Sequence, residues 1–146
     1  MVREVTPDEY RALVAAGRGR SRRSKYGVRR DALGRLLRTV DGIEFDSQAE
    51  ATRYTVLRNR EAAEEIQDLK LQPSWVLQEA FVDGAGVRRR AITYTADFAY
   101  TQDGQRVVEE VKGHAARDFS LRMRLFLYQH PEVVYRVVGT REVLVA

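Results

Sequence analysis

Three residues in this sequence could carry chemistry together: Asp97, Glu110 and Lys112. The segment Arg89 to Tyr100 is rich in β-forming side chains, and so is Arg106 to Lys112. Between them lies Gln102-Asp103-Gly104-Gln105, and Asp-Gly between strand-like runs is the strongest short-range hairpin signal. With Asp103-Gly104 as a two-residue turn, facing residues have numbers that sum to 207, which sets Asp97 opposite Glu110. Side chains alternate along a strand, so Lys112 shares their face and falls opposite Thr95. Two directly opposed carboxylates repel each other unless positive charge sits between them. A divalent metal satisfies both, with an ammonium group beside it, and the result suits hydrolysis of the nuclease kind. The plainer alternative is a cross-strand salt bridge from Lys112 to one acid. Val107, Val108 and Val111 argue for a strand inside the sheet, where charges are costly unless paired or metal-bound. A simple salt bridge leaves the second acid unexplained.

The elements that must position these groups follow from local signals. Thr6-Pro7-Asp8-Glu9 opens a helix, with Thr6 as N-cap and Pro7 in the first turn; Gly17 ends it. Gly17 to Lys25 is a glycine- and arginine-rich tether. Short strands are expected near Tyr26 to Arg30 and Arg35 to Val40, with Asp41-Gly42 turning the second into Ile43-Glu44-Phe45. Ser47 starts a helix running to about Ala63. Ile66 to Leu71 reads as a strand that must end at Pro73, and Trp75 to Val82 as another, followed by a loose turn at Asp83-Gly84-Ala85-Gly86. A second helix, about Arg117 to Gln129, carries Leu121, Leu125 and Tyr128 at helical spacing. Pro131 closes it, and Val133 to Val138 forms the last strand. The chain divides into an N-terminal helix and basic tether, 1–25, and one α/β domain, 26–146.

Composition sets outer limits. A chain of 146 residues, 44% hydrophobic and 32% charged, is one globular domain with a real core. No apolar run approaches a membrane span, the N-terminus has no signal-peptide core, and the reading is a cytoplasmic protein without membrane partners. It has no cysteine, which excludes disulfides, thiolate catalysis and cysteine zinc sites. The net charge of +4 is unevenly spread. Arg18, Arg20, Arg22, Arg23, Lys25, Arg29, Arg30, Arg35 and Arg38 share a stretch whose only acid is Asp31. Arg117, Arg122 and Arg124 follow the candidate site. Such blocks are footprints for a polyanion, usually nucleic acid, or else a solvated surface. Arg122 and Arg124 read equally well as phosphate contacts or as ordinary helix surface. His114, just past the site, reads as a loop residue.

A further acid, Glu50, sits in Ser47-Gln48-Ala49-Glu50, a capping box that needs no catalytic role. The pattern Phe45-Asp46-Ser47, Glu50-Ala51, Arg53-Tyr54, then Leu71-Gln72-Pro73, then Tyr94, Ala96-Asp97-Phe98, then Val108-Glu109-Glu110-Val111-Lys112-Gly113 resembles a phage-borne family of the PD-(D/E)XK nuclease superfamily. Similar elements occur in archaeal-type Holliday junction resolvases and transposon end-cutting endonucleases. The likeness runs from about Ser24 to Phe126, and Ala96 stands where the motif's name places proline.

The resemblance implies a restriction-endonuclease-like α-β-β-β-α-β core, a mixed central sheet flanked by helices. It also implies that Glu50 points to the metal site. The expected activity is a Mg²⁺- or Mn²⁺-dependent endodeoxyribonuclease, with Asp97, Glu110, the Val111 carbonyl and Glu50 as ligands and Lys112 beside the reacting phosphate. The expected substrate is branched DNA such as a four-way junction, cut by a homodimer without an organic cofactor. Alternatives are a nuclease for nicked, flapped or duplex DNA, and a non-catalytic DNA-binding module of a phage replication or packaging complex.

Overall fold

Along the chain, hairpins and helices are set by a few local signals. The computed structural model describes residues 12, 31–112, 118–139 and 142. The predicted N-terminal helix, the basic tether, the strand near Tyr26 and the boundary between residues 25 and 26 lie outside these. The chain forms two compact units, 1–55 and 56–146.

In the first unit, α1 spans Ala32–Leu37, where the sequence predicts a strand starting at Arg35. Asp31 is the reason: its carboxylate accepts from the Gly34 amide at 2.8 Å, which starts a helix that the strand propensities do not anticipate. Asp41-Gly42 turns β1 (Thr39–Val40) into β2 (Ile43–Glu44), both turn residues having positive φ. Helix α2 spans Gln48–Ala62, close to the predicted bounds.

The second unit is built on a long two-stranded ribbon. One side is β3 (Gln67–Leu71), β4 (Ser74–Gln78) and β5 (Phe81–Val82). The returning side is β6 (Arg88–Arg89), β7 (Ile92–Thr95) and β8 (Phe98–Gln102). Leu71 faces Phe98 and Ser74 faces Thr95, so the register is the same on both sides of the interruption at Gln72-Pro73. Pro73 has no amide to donate, and Gln72 adopts φ +46°. Opposite them, Gln72 N donates to the Asp97 carbonyl and Ala96 N to the Pro73 carbonyl. The predicted strand through Arg89 to Tyr100 is therefore divided, and the expected facing of Lys112 and Thr95 does not occur. Thr95 pairs with Ser74, while Lys112 pairs with Gly139.

Strand β9 (Gln105–Lys112) returns from β8 through Asp103-Gly104, with φ of 51° and 77°. Positive φ at both central positions matches the right-handed strand twist. Phe98 faces Glu109 and Ala99 faces Val108, which is the predicted register. After α3 (Phe119–Gln129), β10 (Val134–Gly139) joins β9 in parallel, giving a mixed sheet in the order β10-β9-β8-β3. The valine-rich β9 is interior. The fold is α/β, with a mixed sheet.

Helix α3 does not bury the stripe its periodicity suggests. Leu121 and Tyr128 are 59% and 85% exposed, whereas Phe126 is fully buried among Leu77, Tyr94, Ala96, Ala99 and Val108. The inward side also carries Arg122 and Gln129, whose ends donate to the Thr93 and Leu77 carbonyls at 2.7 Å. Two of its positions are thus polar, which hides the core side from a hydrophobicity count. Trp75 and Tyr94 face each other across β4 and β7, and both rings pack on Phe126. Phe126→Ala should cost about 3–5 kcal/mol through lost burial and cavity formation, and Leu121→Ala less than about 0.5 kcal/mol. Urea unfolding of the two variants tests this assignment of the buried side.

Candidate active site

The interruption in the ribbon explains how Asp97 is presented. Main-chain groups of successive strand residues normally point to opposite sides, so a continued hairpin would offer the Ala96 carbonyl to the Val111 amide. Instead both Ala96 and Asp97 turn main-chain groups to Gln72-Pro73. The Asp97 carboxylate takes the empty place, accepting from Val111 N at 2.6 Å. Such a bond to an ionised acceptor is about twice as strong as a neutral one. It fixes the side chain against β9, one residue beyond the last ladder pair, Phe98–Glu109, and next to Glu110 in the chain order of β9.

Glu110 is held by two tyrosines. The Tyr94 hydroxyl donates to Glu110 Oε2 at 3.0 Å and shares a hydrogen bond of 3.2 Å with the Tyr135 hydroxyl. Tyr135 arrives because β10 runs parallel to β9 and pairs it with Val108. Burial pushes the Tyr94 phenol far above its ordinary value, with the Tyr135 hydrogen bond and the Glu110 charge adding to it. Tyr135 is pushed up to about 12, by burial first; its hydrogen bond to Tyr94 acts the other way, and the Glu110 and Asp97 charges raise it further. One phenol therefore senses both carboxylates. The structure brings Asp97 and Glu110 to one locality.

Other predicted residues fare differently. Val111 contributes its amide to Asp97. Lys112 ends β9, and its side chain is outside the described residues, as are His114, Arg18, Arg20, Arg22, Arg23, Lys25, Arg29 and Arg30. Glu50, in the unit 1–55, forms the capping arrangement: its amide donates to Ser47 Oγ at 3.1 Å, and the Ser47 hydroxyl donates back to its carboxylate at 2.8 Å. Arg122 is bound to Asp118 at 2.7 Å and to the Thr93 carbonyl, so it fastens α3; Arg124 is exposed. Tyr94 and Tyr135 are the site residues that reading for acids missed. Alternation along an unbroken strand would set Tyr94 on the face opposite Asp97, so it carries no local signal. Tyr135 depends on a parallel pairing with no local signal.

Among the described residues, no group of three or more His, Cys, Asp or Glu side chains is arranged to hold a metal. Asp97 and Glu110 remain a two-carboxylate oxygen set. That fits a hard cation such as Mg²⁺, which takes one or two carboxylates and keeps several waters. No helix among the described residues is long and apolar enough to cross a membrane.

A family profile described as "Protein of unknown function (DUF1064)" matches residues 23–141. The chain belongs to the DUF1064 family. The matched stretch of this DUF1064 protein contains Glu50, Asp97, Glu110, Lys112, Tyr94 and Tyr135. A comparison with curated proteins finds no match.

Both phenols bind their protons more tightly folded than unfolded. Their contribution is complete below the ordinary phenol value of 10 and is lost as pH rises through 10 toward 12. Tyr94→Phe keeps the ring packing but removes the donor to Glu110, and should cost about 1.5–3 kcal/mol at pH 8, as for other hydrogen bonds to charged groups. The variant should also lose less stability than the parent between pH 10 and 12. Chemical denaturation at several pH values measures both effects.

Proposed function

We propose that this DUF1064 protein is a metal-dependent endodeoxyribonuclease of the PD-(D/E)XK type, with a restriction-endonuclease-like core. The observation that carries the reading is the placement of Asp97 and Glu110 at a break in a central hairpin, each oriented by a hydrogen bond to its surroundings. The order α2, β3, β8, β9, α3, β10, with the outer ribbon strands inserted between β3 and β8, supports it, since the resemblance implies the pattern α-β-β-β-α-β. Fold likeness alone does not fix an activity. The site geometry and the basic charge give the nuclease reading its content.

In this reading Asp97 and Glu110 would hold Mg²⁺ or Mn²⁺, with the Val111 carbonyl as a further ligand. The ion would supply charge neutralisation at the phosphate and a bound water of lowered pKa. Asp97 is kept in place by the Val111 amide and Glu110 by the Tyr94–Tyr135 pair, so neither carboxylate must reorganise when DNA binds. Lys112 stabilises charge developing on the phosphate or positions the water. Arg18, Arg20, Arg22, Arg23, Lys25, Arg29, Arg30 and Arg124 grip the DNA backbone; Arg122 serves α3 instead. The substrate is branched DNA such as a Holliday junction, cut by a homodimer in the cytoplasm of a host cell.

Asp97→Asn keeps an acceptor for the Val111 amide while removing the charge. It should lower cleavage of labelled junctions by at least about 100-fold, a loss on the scale of removing one preorganised electrostatic group. Lys112→Ala should do the same. Both should leave DNA affinity measured in EDTA nearly unchanged, because most affinity comes from arginine–phosphate contacts outside the acidic centre. Cleavage at the parent rate by either variant would remove these residues from the mechanism. Neutralising Arg20, Arg22 and Arg23 together should flatten the salt dependence of binding by about 0.9 in log–log slope for each phosphate no longer neutralised. The scissile bond should stay the same, as groups that bind phosphate position the DNA rather than specify its sequence.

A further inference from the structure

The far end of the ribbon has features that the core does not explain. Beyond β4 and β7, the strands continue as β5 and β6, with Phe81 facing Arg89 and Val82 facing Arg88. Phe81, Val82 and Val87 are 48%, 64% and 46% exposed, so this hairpin buries little apolar surface of its own. A two-stranded hairpin of that kind is marginal unless something stiffens it. Asp83 does so. Its Oδ1 accepts from the Ala85 and Val87 amides at 2.9 and 3.0 Å, and its Oδ2 from Arg89 at 2.7–2.8 Å. Those bonds, Val87 first and then Arg89, hold its carboxyl below the ordinary range.

Arg89 is therefore used inside the hairpin. Arg88 and Arg90 are exposed, and among the described residues neither has a carboxylate partner. Arg88 lies in β6 with Val82 across from it, and Arg90 follows just past the strand end, no more than about 7 Å away along the chain. Arg90 is seven residues from Asp97 on the same strand path, which limits their separation to about 25 Å. That is less than one turn of duplex DNA, roughly 34 Å.

We propose that the hairpin Phe81–Arg90 is a nucleic-acid-gripping arm: the stiffened turn holds Arg88 and Arg90 against backbone phosphates of duplex DNA flanking the scissile bond, with the exposed Val82 side chain lying against the sugar edge. The inference rests on the nuclease reading and specifies where the substrate must be double-stranded. Charge complementarity selects the occupant. Arg88 and Arg90, exposed and without a carboxylate partner among the described residues, disfavour a second copy of the same arm and attract a polyanion.

The test compares the parent protein with Arg88→Gln/Arg90→Gln, both in EDTA, on a junction with long duplex arms. The variant should fold with an unchanged melting temperature, since both side chains are exposed. Its affinity should drop about ten-fold, and its log–log salt slope should lessen by about 1.8, the value for two duplex phosphates. On a junction whose arms are trimmed to roughly five base pairs, so that little duplex is left for the arm to grip, the difference between parent and variant should shrink. Lys70→Gln, at an exposed cation already paired with Asp68, should leave the slope nearly unchanged. Equal affinity and slope for parent and double variant on the long-armed junction would overturn the arm while leaving the nuclease reading intact. A parent protein that binds no DNA would overturn the nuclease reading itself. A double variant that changes oligomeric state without changing DNA affinity would assign the hairpin to a second copy of the chain.

Discussion

The bond from the Val111 amide to the Asp97 carboxylate depends on a defect that Pro73 imposes on the ribbon. Without a donor at Pro73, the strand pair cannot run through unbroken, and the two residues opposite turn their main-chain groups to the same side. A buried sheet amide must then find another acceptor, because an unpaired one costs about 1–3 kcal/mol. The nearest acceptor on a side chain is Asp97. A requirement of sheet bonding thus selects a side-chain acceptor at this point and directs it. Asn would also offer an acceptor to the amide, so the hydrogen bond accounts for the placement and leaves the charge to be explained by chemistry.

Adjacent glutamates on β9 show how the sheet separates two tasks. Glu110 lies on the side of Val108 and α3, tied to Tyr94 and Tyr135. Glu109, on the opposite side, is fully buried and accepts from the Tyr100 hydroxyl, which in turn accepts from Arg136 at 3.1 Å. Each carboxylate is held by a phenol, a donor whose remainder is apolar and packs well. Glu109 has an arginine within its network.

Local signals carry much of this architecture. Asp103-Gly104 sets a register that carries the ladder out to Phe98 and Glu109, eleven residues apart, because the turn geometry allows few alternatives. Pro73 and the valines of β9 are equally direct. Where reading from sequence fails, a tertiary partner outweighs the local pattern. Asp31 caps a helix over residues with strand character. Arg122 and Gln129 on the inward side of α3 make its buried stripe look polar, while Leu121 and Tyr128 make the outward side look like core. The break at Ala96-Asp97 is invisible because its cause lies across the ribbon, at Pro73. Tyr135 is the clearest case, since a parallel neighbour is joined through a whole intervening helix.

That parallel pairing has a consequence for the order of assembly. The β8–β9 hairpin closes over two residues and can form early, whereas β10 must wait until α3 has been laid down to carry the chain back. Until then β9 is an edge, with Val107, Val108 and Val111 in its run and an open row of main-chain donors and acceptors. The second tyrosine of the Glu110 environment comes with the strand that covers this edge. A chain halted before Val134 would therefore lack both the phenol and the protection, and would be prone to self-association through β9. In this topology, completing the site and blocking the most adhesive strand are one folding event.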